Sequence, residues 1–104
     1  MHMEITAHGF VMRRALRADI ARQIGRFVQG VQQPIKNVSV DLYKERQRTM
    51  RVVNKYCRVH VEFLNDVCET ASDAERDFPT VVSEAFLKLL RFDADVLRAP
   101  GGSN

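Results

Sequence analysis

Apolar residues recur along this chain first at alternate positions, then at helical spacing, then at alternate positions again, and finally at helical spacing. Met3 to Thr6 alternates and predicts a short first strand. From about Met12 to Val28, residues Leu16, Ile20, Ile24, Phe27 and Val28 fall on one stripe of a helix, and Gly30 with Pro34 ends it. From Asn37 the period returns to two: Val38, Val40 and Leu42 point one way while Ser39, Asp41 and Tyr43 point the other. Tyr56 to Leu64 repeats the alternation through Cys57, Val59, Val61 and Phe63, so the two segments are expected to pair as a hairpin. In that hairpin Leu42 is set against Val59.

A tight turn at Asn65-Asp66 would place Val67 opposite Leu64 and Cys68 opposite Phe63, putting Cys68 and Thr70 on the core face and Glu69 in water. Ala71 to Arg76 reads as a polar connection. Asp77 is a good N-cap, and Pro79 falls in the first turn, where its missing N–H breaks no helical bond. Val81, Val82, Ala85, Leu89 and Phe92 then recur at helical spacing, so a second helix runs from about Phe78 to Leu90 or onward to Leu97. The order is β-α-β-β-β-α. The pattern predicts a two-layer α+β domain, a four-stranded sheet with both helices on one face. It spans residues 1–98, with a disordered tail over 99–104.

Composition adds a boundary to this picture and charge adds a direction. The 104 residues are enough for one core, and 45% hydrophobic with 28% charged is an ordinary globular balance. No apolar run approaches a membrane span, and the N-terminus MHMEITAHGF does not read as a leader, so a cytoplasmic protein is expected. Cys57 and Cys68 form no CxxC pair and are read as buried free thiols. The net charge of +3 hides an asymmetry: residues 1–58 hold twelve Lys and Arg against four Asp and Glu, and residues 59–104 hold four against nine. One half is basic and the other acidic, which suits a protein that offers a positive surface to a polyanion.

The densest basic segment is KERQRTMRVVNK, Lys44 to Lys55, with five cations and one carboxylate. Continuing the parity of Val38, Val40 and Leu42 gives Lys44, Arg46 and Arg48. Burying those three without partners would cost several kcal/mol each, about 3–5 for an uncompensated buried charge, so the strand must overshoot the helices or bend. In the register that sets Leu42 against Val59, Arg46 faces Lys55, a like-charge pair that an anion between them, or equally a disordered loop, would relieve. The first helix adds Arg13, Arg14, Arg17, Arg22 and Arg26, of which Arg22 and Arg26 face away from Arg13 and Arg17. Tyr43 and Tyr56 are the aromatics nearest these cations, and either could stack on a base or simply cover a strand neighbour.

Candidate catalytic chemistry is sparse. His2, His8 and His60 are dispersed, no Cys and His lie at metal-ligand spacing, and no glycine-rich phosphate loop opens a helix. We therefore expect no catalytic residues, no metal and no cofactor.

The ordered set EITAHGFVMRRALRADI, NVSVDLYK, NKYCRVHVEF and the Asp77 helix start resembles the ribosome hibernation-promoting factor family, the short ribosome-associated translation inhibitors of bacteria. The resemblance covers about residues 3–92. It implies a non-enzymatic cytoplasmic protein that binds the small ribosomal subunit and its RNA and holds ribosomes inactive under stress. The family usually has a strongly basic end to its last helix; here Arg91 and Arg98 are set against Asp93 and Asp95, and the cations have moved toward the hairpin. The RNA-binding candidates are Arg13, Arg14, Arg17, Arg22, Arg26, Lys44, Arg46, Arg48, Arg51, Lys55, Arg58, Lys88 and Arg91. The alternative is a protein-interaction module or homodimer of the same fold that has lost ribosome binding.

Overall fold

The computed structural model describes residues 1–46, 53–64, 68–75 and 77–92. Strand β1 (His2–His8) leads to helix α1 (Arg14–Gly30), then to strands β2 (Ile35–Arg46), β3 (Val53–Phe63) and β4 (Cys68–Glu75), and to helix α2 (Phe78–Phe92). The strands form one sheet in the order β1-β2-β3-β4, with β1 parallel to β2 and the remaining neighbours antiparallel. The parallel pair needs a crossover, and α1 supplies it.

The alternation anticipated from the sequence sorts the two faces. Val38, Val40 and Leu42 of β2 and Cys57, Val59, Val61 and Phe63 of β3 are buried. Against them pack Ile20, Ile24 and Phe27 of α1 and Val81, Val82, Ala85, Phe86 and Leu89 of α2, so both helices cover the same side. Leu16 and Val28 sit at the margin of this core. Among the described residues no polar or charged residue is buried. Cys57 is a buried free thiol as expected, and its S–H donates to the Val81 carbonyl at 3.5 Å, tying β3 to α2.

Helix α2 begins as the N-cap pattern predicts: the Thr80 N–H donates to Asp77 Oδ1 at 2.9 Å. That bond, followed by the Thr80 hydroxyl, holds the Asp77 carboxyl below its ordinary range. An onward run of α2 to Leu97 and the tail 99–104 lie outside the described residues, as do Arg48, Arg51 and the Asn65-Asp66 turn.

Both hairpin registers differ from expectation. Leu42 pairs with Cys57 and Val40 with Val59, so the facing cations are Lys44 and Lys55 rather than Arg46 and Lys55. The two registers differ by two residues, which leaves every side chain on its own face, so burial alone does not choose between them. Between β3 and β4 the shift is by one: Cys68 pairs with Glu62, not Phe63, and Glu69 stands opposite Val61. Strand β4 also continues through Ala71 to Glu75, where a connection was expected, and pairs with β3 as far as Lys55. Asp and Ser are poor strand formers, so the ladder along β3 overrides local propensity here.

Candidate nucleic-acid interface

The basic end of the molecule is assembled where β1 ends, α1 begins and the β2–β3 hairpin passes beyond the helices. Strand β2 has twelve residues, about 40 Å at 3.3 Å per residue, and stays paired with β3 through Arg46 and Val53. Beyond the last buried pair, Leu42 with Cys57, comes Lys44 opposite Lys55, with Lys44 exposed. The strand thus overshoots the core instead of burying its cations. The Lys55 ammonium lies 5.6 Å from the centroid of the Phe78 ring of α2. Phe78 in turn stacks on Phe10 at 4.7 Å, so the β1–α1 connection closes this end of the core.

Gly9 makes the close approach possible. It has φ +86°, and a Cβ there would lie 2.8 Å from the Lys44 carbonyl oxygen. The chain turns at this point into α1, whose start is unfavourable for an isolated helix. Its N-cap is Arg13, with no side-chain cap bond and no acidic residue in the first turn. Arg13, Arg14 and Arg17 therefore crowd positive charge at the positive pole of the helix. Arg17 also donates to the Ile5 carbonyl of β1 at 3.4 Å, which fastens α1 to the edge strand.

The remaining candidates lie elsewhere. Arg22 pairs with Asp19 at 3.3 Å, and Asp19 also accepts from Gln23 at 3.0 Å. Arg26 lines a groove of about 490 Å³ between α1 and α2, with Glu84 on its wall. Lys88 and Arg91 are exposed in the last turns of α2. Arg58 is exposed on the sheet face away from the helices, opposite Asp41. Arg46 ends β2, and its position in the ladder places it one pair beyond Glu45 and Asn54. The structure thus gathers Arg13, Arg14, Arg17, Lys44 and Lys55 at one end and distributes the rest over other faces.

The outer sheet face carries a feature that sequence reading found only in part. His8, Tyr43 and Tyr56 stand directly opposite one another on β1, β2 and β3. Their rings stack in a column, 4.4 Å from His8 to Tyr43 and 4.8 Å from Tyr43 to Tyr56, with interplanar angles of 10° and 7°. A hydrogen bond of 3.1 Å between His8 Nε2 and Asp41 Oδ1 fixes the outermost ring. The two tyrosines were visible as outward positions of neighbouring strands. His8 was not, because placing it beside Tyr43 needs the parallel β1–β2 register, which no local signal specifies.

At the opposite end of this face Glu62 accepts from Asn37 at 3.3 Å and pairs with Lys36 at 3.3 Å. The Asn37 bond first, and Lys36 after it, lower the Glu62 carboxyl from its ordinary range. Among the described residues no group of His, Cys, Asp and Glu is arranged to hold a metal ion, and no helix is long and apolar enough to cross a membrane.

No family model matches the sequence, and no curated protein is similar to it. Solved structures do match. A ribosomal subunit interface protein from Coxiella burnetii superposes with a TM-score of 0.72 at 18% identity, over 91% of this chain and 96% of that one. The N-terminal domain of Protein Y from Thermus thermophilus gives a TM-score of 0.65 at 10% identity, over 88% of this chain and 94% of that one. At such identities the likeness is one of fold, and over nearly its whole length this chain has the fold of a ribosomal subunit interface protein and of the Protein Y N-terminal domain.

Proposed function

We propose that this chain is a short, cytoplasmic, non-enzymatic ribosome hibernation factor that binds the RNA of the small ribosomal subunit and keeps ribosomes inactive under stress. The observation that carries the reading is the shared fold with a ribosomal subunit interface protein over 91% of the chain. The charge supports it. An uncapped helix start bearing three arginines and a cross-strand pair of lysines both oppose folding, and a polyanion would turn both into favourable contacts. The residues used are Arg13, Arg14 and Lys44 of the basic end, together with Arg46, Arg48 and Arg51. The other cations, Arg22, Arg26, Arg58, Lys88 and Arg91, add contacts only where RNA surrounds the domain on several sides.

Phosphate neutralisation then dominates the affinity. Six contacts at roughly 0.7 to 0.9 each give log K a slope of about −4 to −5 against log salt concentration. Co-sedimentation with small subunits across a salt series should follow that slope, and no binding at low salt would sink the proposal. In that case the same domain is better read as an interaction module or homodimer that uses the open edge of β1. Reversing Arg46, Arg48 and Arg51 to Glu should abolish binding while leaving the melting temperature nearly unchanged; unfolding of the triple variant would assign those residues to the fold instead.

A further inference from the structure

The His8–Tyr43–Tyr56 column has two ends, and they differ. Tyr56 faces β4, whereas His8 lies on β1, the edge of the sheet, with 43% of its side chain exposed. The outer ring face of His8 therefore looks past the last strand, held in orientation by Asp41 and backed by two stacked tyrosines. A flat π-surface already fixed in place takes a further ring without the usual loss of side-chain freedom. The charge nearest the ring is the Asp41 carboxylate that holds it, and the cations of this end lie round the sheet edge, on the helix side. The residue after His8, Gly9, packs on the Lys44 carbonyl, and Lys44 is exposed. The same connection leads within a few residues to the exposed Arg13 and Arg14. A single strand with one base on the ring face, continuing round the sheet edge to the helix side, would meet both the open ring and these cations.

We propose that the outer face of His8 is a stacking site for one unpaired nucleobase of single-stranded RNA, with Lys44, Arg13 and Arg14 contacting the adjoining phosphates. The site rests on the reading of the chain as an RNA binder and deepens it, adding a base contact to a surface otherwise occupied with phosphate. Stacking tolerates any base, so the site supplies affinity without reading sequence.

The test uses the full chain and a short single-stranded oligoribonucleotide carrying 2-aminopurine, beside an abasic oligomer of equal length. The wild-type protein should quench the fluorophore and bind the base-bearing oligomer more tightly than the abasic one. His8→Ala should weaken binding of the base-bearing oligomer by about 5- to 150-fold, the range that loss of one base–aromatic stack implies, and remove the quenching. Its binding to the abasic oligomer should not change. His8→Phe, which keeps a ring and loses the Asp41 bond, should restore most of both signals. Circular dichroism of each variant confirms that the exposed position leaves the fold intact. Equal binding of base-bearing and abasic RNA by the wild type, or quenching by His8→Ala, would overturn the stacking site while leaving the RNA reading standing. Failure of both oligomers to bind at low salt would remove the RNA reading, and the stacking site with it.

Discussion

At Gly9 a single missing Cβ decides how closely two segments approach. The φ of +86° is the left-handed region, costly for a side chain, and the Lys44 carbonyl occupies the space a methyl group would need. Gly9→Ala should therefore destabilise the domain by about 1–3 kcal/mol, combining backbone strain with displacement of β2, and thermal unfolding would read it. Unchanged stability would mean that the connection relaxes freely. Asp77 and Glu62 act through charge. Both carboxyls are held below their ordinary values, Asp77 chiefly by the Thr80 N–H and Glu62 chiefly by Asn37. Because the folded-state pKa is the lower one, each contributes stability above the unfolded pKa, near ~4, and loses it as pH falls through the folded value. The melting temperature should thus decline as pH drops from about 5 toward 3. Asp77→Asn keeps a capping oxygen and should flatten part of that decline; an identical profile would show that the cap carries no pH dependence.

Among the elements, the β2–β3 hairpin joins stability and binding in opposition. Lys44 and Lys55 are directly opposed, so Lys44→Glu should stabilise the domain by about 0.2–1 kcal/mol in a thermal melt while weakening RNA binding. A variant that binds RNA as the wild type does would free Lys44 from the interface. This hairpin also marks how far the sequence could be read. Strands β1 to β3, both helices and the buried faces follow from periodicity and the Asp77 cap from residue type, because each rests on a pattern within one segment. Registers rest on relations between segments. Moving Leu42 from Val59 to Cys57 keeps every apolar residue on its face, and the sequence between Arg46 and Val53 has no tight-turn signature to settle the matter. In β4, Thr70, Ala71, Ser72 and Asp73 lack the apolar alternation that announced its neighbours, so pairing with β3 was the information missing. The cation types of the candidate interface were equally plain in the sequence. Which of them share one end was not, since that depends on where α1 starts relative to the hairpin.

For the whole molecule, sheet order converts the charge split of the chain into a split in space. Because the strands lie in chain order and the arginine-rich α1 is fastened to β1, the cations of α1 belong to one side of the sheet, and β4, with Glu69, Asp73 and Glu75 and no Lys or Arg, forms the other. Such a molecule carries an electric dipole that orients it before contact, speeding productive encounters with a polyanion and discouraging approach by the acidic side. The Cys57 thiol, wholly buried where β3 meets α2, has a different consequence. A thiol reagent can reach it only when that seam parts, so in a Cys68→Ser background its labelling rate is a clock for internal opening. Labelling far slower than that of an exposed cysteine is expected, and slower still with RNA bound, since a ligand held by the closed form lowers the fraction of time the seam stands open. Fast labelling without ligand would mean that the joint between sheet and helix is already loose.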